Sequence, residues 1–186
     1  MKKLMIIAAM LMAVVGVKAQ NEVGQFSIMP KAGINIASLT KGDGTKSKIG
    51  LAVGVEAAYG VAKNFELTAG LLYSMQGVKQ DGTDVKINMD YLNVPILAQY
   101  YLVKGLAVKA GVQVGFNTNA KVKNGDASAD ITNNKTVDFS IPVGLSYEIA
   151  NVVLDARYNI GMTKVVEGAE NKNSVIQITL GYKFPF

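Results

Sequence analysis

From residue 26 to the end, apolar and polar positions alternate with a period of two, in eight separate runs. The last run shows it most clearly. Ile176, Ile178, Leu180, Tyr182, Phe184 and Phe186 fall on one face, and Val175, Gln177, Thr179, Gly181 and Lys183 on the other. The run before it sorts Val152, Leu154, Ala156, Tyr158, Ile160 and Met162 from Val153, Asp155, Arg157, Asn159 and Gly161. The pattern predicts strands at 26–37, 48–60, 65–76, 90–101, 106–117, 137–149, 152–162 and 174–186. No apolar-face position carries a charge, an amide or a glycine. A slip of one residue would exchange the faces throughout, so agreement across eight runs fixes the register strongly.

The connections alternate in length. Residues 38–47, 77–89, 118–136 and 163–173 read as long polar loops, and 61–64, 102–105 and 150–151 as tight turns. This is the layout of a bacterial membrane barrel, with long loops outside and short turns in the periplasm. The expected fold is all-β: an eight-stranded antiparallel up-and-down transmembrane β-barrel. A soluble lipocalin-like barrel also alternates, with its apolar face inside. Three features favour the apolar face outside. The polar face carries Gly33, Gly50, Gly54, Gly60, Gly70, Gly111, Gly115, Gly144, Gly161 and Gly181. A cramped lumen needs such residues and a watery surface does not. Twelve of the 14 aromatic residues lie on the apolar face. Phe26, Tyr59, Phe65, Tyr100, Tyr147, Phe184 and Phe186 would gird one membrane interface, and Tyr73, Phe116 and Phe139 the other. The final outward aromatic, Phe186, resembles the terminal signal by which the barrel-assembly machinery takes up its clients. Pro30, Pro95, Pro142 and Pro185 sit inside strands. Proline cannot donate to a ladder, so a bulge or a lost ladder bond is expected at Pro95 and Pro142.

The first residues follow a different rule. Lys2 and Lys3 precede an uncharged run from Leu4 to Val17, and Val17-Lys18-Ala19 ends in a small residue before Gln20. This reads as a secretory signal peptide over residues 1–19, too short to span a bilayer as a helix, followed by one barrel domain over 20–186. Cleavage would remove Lys2, Lys3 and Lys18 and lower the formal charge from +5 to +2. No motive then remains for a nucleic-acid surface. The chain has no cysteine, so neither disulfides nor a lipidated cysteine enter the account. The expected location is the cell outer membrane, among its lipid and lipopolysaccharide.

The polar face supplies the candidate chemistry. Lys31, Lys48, Lys109, Arg157 and Lys183 are inward bases, and Glu56, Glu66, Asp138, Glu148 and Asp155 inward acids. Arg157 is the only arginine. A two-residue turn at Ala150-Asn151 would set Gly144 opposite Arg157 and Ser146 opposite Asp155. An ion or proton path is one reading of these ten residues. The other, favoured by the balance of sign, is a salt-bridge network that plugs a lumen too narrow for water. A selective channel more often carries one sign in excess.

Catalysis finds little support. The chain has no histidine to act as general base, and no serine or lysine has a nucleophile's setting. Asp43, Asp81, Asp84, Asp126 and Asp130 match no calcium-loop spacing. Neither cofactor nor metal is expected. The long loops lack aromatic residues, so stacking platforms for sugars or bases are missing. Protein contact through polar loops remains.

Several stretches resemble the Bacteroidetes outer-membrane β-barrel family that includes the PorT-like proteins. They are Lys31-Ala32-Gly33-Ile34-Asn35-Ile36, Tyr91-Leu92-Asn93-Val94-Pro95-Ile96-Leu97, Lys109-Ala110-Gly111, Leu154 to Met162, and Leu180-Gly181-Tyr182-Lys183-Phe184. The resemblance covers the whole barrel and accommodates Pro95; Pro185 is less usual. It implies the fold and location firmly. It implies function only as porin-like barrels in general, or as an accessory role in protein secretion. The expected function is a structural or protein-interaction barrel, with a narrow solute pore or a secretion factor as the alternatives.

Overall fold

A computed structural model describes residues 22–40, 44–124, 127–131, 135–164 and 171–186. The signal-peptide segment, 1–19, lies outside the described residues. Ten strands occur among the described residues: β1 (Phe26–Leu39), β2 (Thr45–Ala62), β3 (Phe65–Gln80), β4 (Val85–Val103), β5 (Leu106–Asn124), β6 (Ala127–Asp130), β7 (Val137–Ile149), β8 (Val152–Lys164), β9 (Lys172–Tyr182) and β10 (Phe184–Pro185). They form one antiparallel sheet in the order β10-β1-β2-β3-β4-β5-β7-β8-β9. Pairing of β1 with both β9 and β10 closes it. In lipid every backbone group must be paired within the protein, which an open sheet edge cannot satisfy. β9 and β10 act as one strand interrupted at Lys183, so the barrel has eight staves, with β6 a short extra strand on β5.

The faces sort as the alternation requires. Ile96, Val112, Leu145, Leu154, Ile176 and Leu180 are exposed on the outer wall. The buried side chains include Lys31, Glu56, Glu66, Lys109, Asp155 and Arg157. This inverts a soluble core and is stable only where the outer wall meets hydrocarbon. The short turns fall at 63–64, 104–105 and 150–151, and the left-handed conformation they need is taken by Asn64, Gly105 and Ala150. Phe186 is exposed and its N–H donates to the Phe26 carbonyl, with the two rings 6.4 Å apart.

Two expected loops turn out to be mostly strand. β3 and β4 continue to Gln80 and from Val85, leaving a tight hairpin at 81–84, and β5 runs on to Asn124 before β6 folds back on it. These extensions lie beyond the apolar band, where both faces are polar or mixed and the period-two contrast fades.

The interior prolines leave gaps without bulges. The β3–β4 ladder passes from Ala69↔Ile96 to Leu72↔Asn93 in unbroken register, omitting Gly70/Pro95. The β5–β7 ladder likewise passes from Ala110↔Val143 to Gln113↔Ser140, omitting Gly111/Pro142. Pro30 leaves the same gap opposite Tyr182, between Ile28↔Phe184 and Lys31↔Gly181. Tyr101 donates to the Asn64 carbonyl, and Glu148 to that of Gly105. Hydrogen-bonded pairs recur every second residue from there, which puts Pro95 and Pro142 at positions that need a donor. A proline nitrogen cannot supply one.

Candidate functional site

The lumen is built in layers by inward residues two apart on neighbouring staves. Nearest the short turns, Lys183 Nζ reaches Glu66 Oε1 at 3.1 Å and Glu148 Oε2 at 3.2 Å. Tyr101 joins them: its hydroxyl donates to Glu148 Oε2 at 2.7 Å and accepts from Lys183 Nζ at 3.3 Å. Lys183 occupies this place because it sits in the break between β9 and β10. Its backbone N–H donates to the Asn151 carbonyl at 2.7 Å, and the Asn151 amide donates back to its carbonyl at 2.6 Å.

The next layer is centred on Arg157. Its Nη2 donates to Glu56 Oε2 at 2.8 Å and to Asp155 Oδ2 at 2.9 Å, while Nε donates to Asp155 Oδ1 at 2.7 Å. The bidentate grip on Asp155 is a strong form of ion pair. Lys109 Nζ bridges the same two carboxylates, at 2.9 Å from Glu56 Oε1 and 2.8 Å from Asp155 Oδ2. Lys31 Nζ lies 3.1 Å from Glu56 Oε2 and 3.6 Å from Asp155 Oδ2. These five side chains are at most 2% exposed. Gly144 pairs with Arg157 and Ser146 with Asp155, the register expected of the Ala150-Asn151 turn.

The two layers offset each other. The Arg157 layer holds three cations and two carboxylates, the Lys183 layer one cation and two carboxylates. Neither is neutral alone; together their eight charges balance. Desolvation costs several kcal/mol per ion unless opposite charge is at hand. The layers adjoin across a cavity of ≈ 10 Å³, lined by Glu56 from one and by Glu66, Glu148 and Lys183 from the other.

Above them the lumen carries uncharged polar groups. Asn35 donates to Ser74 Oγ at 2.9 Å, Gln113 to Ser140 Oγ at 3.1 Å and Asn159 to Gln177 Oε1 at 3.3 Å. Higher still, buried Met89 and Tyr91 pack with Leu39, Ile87 and Ala120 into a small apolar cluster.

Two of the ten expected charges stand apart. Asp138 accepts from Asn173 at 3.3 Å and joins neither layer. Lys48 keeps the inward phase, pairing with buried Ala37 in the unbroken β1–β2 register, but joins neither layer. Its ammonium donates to the Gln76 carbonyl at 2.9 Å, and its charged neighbours are Asp90, Lys123, Lys79 and Lys86, at the loop end. The sequence reading also missed Tyr101 and Tyr91 as inward aromatics. Their odd-numbered places in β4, in phase with Asn93 and Gln99, are the signal that finds them. Of the loop acids, Asp81 pairs with Lys46 at 2.6 Å and Asp130 with Lys121 at 3.8 Å. Asp43 and Asp126 lie outside the described residues. No group of three or more acidic side chains able to hold a metal occurs among the described residues.

Comparison with known proteins agrees with this architecture. Ail, the attachment invasion locus protein of Yersinia pestis, superposes with a TM-score of 0.56 at 16% identity, covering 88% of this chain and 100% of Ail. Neisserial surface protein A, NspA, gives a TM-score of 0.56 at 17% identity, covering 86% of this chain and 97% of NspA. At such identities the likeness concerns the fold alone. No curated protein matches the sequence. The family model described as the outer membrane protein beta-barrel domain matches residues 18–167. An all-β closed barrel with an apolar wall, an ion-paired lumen and this match place the chain in the outer-membrane protein β-barrel domain family.

Proposed function

We propose that this barrel serves the outer membrane as a structural or protein-interaction element, with its lumen shut by its own side chains. One observation carries the reading. Eight ionised side chains in two adjoining layers bond one another across the bore at 2.7–3.6 Å. The cavity between the layers, ≈ 10 Å³, is about one water in size. An ion passing through would have to separate these pairs. What remains for recognition is the loop end, where β3–β4 and β5–β6 stand beyond the apolar band. The chain is exported by a cleaved signal peptide over residues 1–19. The exposed Phe186 is the handle for the assembly machinery. No catalysis is assigned.

Planar-bilayer recording of the purified full-length barrel tests the reading. The expected trace shows no steady conductance. A stable single-channel current, abolished by Arg157→Ala, would assign a solute pore instead. The family resemblance through Tyr91 to Leu97 and Leu154 to Met162 points to the PorT-like branch as the finer placement. Affinity capture from intact outer membranes that retrieved secretion components would turn the role toward protein secretion.

A further inference from the structure

Beyond the apolar band, β2 to β5 each carry a lysine on one continuous rung. Lys46 pairs with Lys79, Lys79 with Lys86, and Lys86 with Lys123. Residues opposite each other in an antiparallel ladder share a face, with Cβ atoms about 5 Å apart. The four ammoniums therefore form a row about 15 Å long at the usual strand spacing. All four are exposed. The face is the outer one. On the adjoining rung Val78 is buried and pairs with Ile87, which packs against the inner Met89–Tyr91 cluster, so Lys79 and Lys86 point the other way. Lys121, two residues from Lys123 on the same strand, extends the row.

Like charges directly opposite destabilise a ladder, and here three such contacts follow in succession. Lys46 has a counterion in Asp81 at 2.6 Å. Among the described residues no carboxylate lies within ion-pair distance of Lys79, Lys86 or Lys123. From Lys79 to Lys123 the row is thus an uncompensated line of positive charge on a rigid sheet. Its height suggests what compensates it. Lys79 stands four residues past Met75, the last apolar-face residue of β3, about 13 Å along the strand. With a tilt near 45° that is about 9 Å above the hydrocarbon, at the level of the charged headgroup layer.

We propose that this row binds the phosphate groups of lipopolysaccharide in the surrounding outer leaflet, one phosphorylated saccharide lying along Lys79, Lys86 and Lys123. The proposal rests on outer-membrane residence and is independent of whether the lumen conducts. Orientation favours a membrane ligand over a soluble polyanion. The row faces sideways over the lipid surface, while the hairpin above it carries Asp81 and Asp84, which repel an anion arriving from outside.

The test uses the full-length barrel in phosphatidylcholine vesicles and reads the temperature at which its gel mobility changes from folded to unfolded. Added lipopolysaccharide raises this midpoint by several degrees, and chemically dephosphorylated lipopolysaccharide does not. The variant Lys79→Gln/Lys86→Gln/Lys123→Gln needs about a hundredfold more lipopolysaccharide for the same rise. Lys63→Gln/Lys104→Gln, at the short turns, behaves as wild type. Should the triple variant fail to fold, wild type in about 1 M salt gives the same answer, because screening at that ionic strength removes the rise. A triple variant or high-salt sample with the full response overturns the proposal, as does equal protection by dephosphorylated lipopolysaccharide. Inorganic polyphosphate that protects at the same phosphate concentration overturns the membrane source.

Discussion

Gly144 lies directly across the β7–β8 ladder from Arg157, and a Cβ on it would stand 2.7 Å from Arg157 Cα and 2.8 Å from Arg157 Cβ. The glycine is a steric condition for the guanidinium's place in the lumen. A methyl group there must displace backbone, because the carbonyl of Ala156 is also in its way. Gly144→Ala is expected to lower stability by about 1–3 kcal/mol, the usual cost of overpacking. Urea unfolding in detergent micelles measures it. Gly70→Ala, where the nearest atom to an added Cβ stands 3.0 Å away, gives the comparison for a lumen glycine with more room. A smaller loss at Gly144 than at Gly70 would show that the lumen around Arg157 gives way easily.

The charge balance between the two lumen layers predicts a compensating pair. Glu56 accepts from Lys31, Lys109 and Arg157, so Glu56→Gln leaves one buried cation in excess across both layers. The expected loss is about 3–5 kcal/mol, as for breaking any buried pair from one side. Lys31→Met removes one cation from the layer that has three. The double variant Glu56→Gln/Lys31→Met restores neutrality and is expected to be more stable than Glu56→Gln alone. The coupling should exceed about 1 kcal/mol in a double-mutant cycle. Strict additivity would mean that water or lipid headgroups, not the opposing layer, balance these charges.

The pattern in the sequence carried the barrel, its closure, its sidedness and the pairing of Gly144 with Arg157, because hydrocarbon enforces a strict contrast between faces. Ile176 to Phe186 could be read no other way. The same rule lost its grip where lipid ends. Lys46, Lys79, Lys86 and Lys123 lie on the outer face in the polar layer, so strand and loop look alike there in sequence. The lumen charges were legible as a set but not as partners. Asp155 lies two residues from Arg157 on the same face, but the meeting with Glu56 depends on the curvature that brings β2 across to β8, and no local pattern encodes that.

The proline gaps predict where the wall is weakest. Gly70 and Gly111 face Pro95 and Pro142 at hydrogen-bonding positions of their ladders, so their carbonyls find no N–H there. Their own amides lose the reciprocal closure that a complete pair provides. Amide exchange of the barrel in a bilayer should be at least about tenfold faster at Gly70 than at Thr68, whose partner Leu97 is paired in the same ladder. Equal protection at both would show that the missing donor is replaced from elsewhere in the wall.

Sidedness can be read chemically because the chain has no cysteine, so one introduced thiol reports one place. Asp84 lies in the β3–β4 hairpin at the loop end and Lys63 in the β2–β3 turn at the opposite end, both exposed. Asp84→Cys should react with a membrane-impermeant maleimide on intact cells, and Lys63→Cys only after the outer membrane is opened. Between them, Val112→Cys on the wall, where Val112 is 59% exposed, should resist the impermeant reagent in both states. A lipid-soluble maleimide should label it, since hydrocarbon covers that face. Ready aqueous labelling of Val112→Cys would mean that water bathes the apolar wall, and with it the assignment of outside and inside would fall.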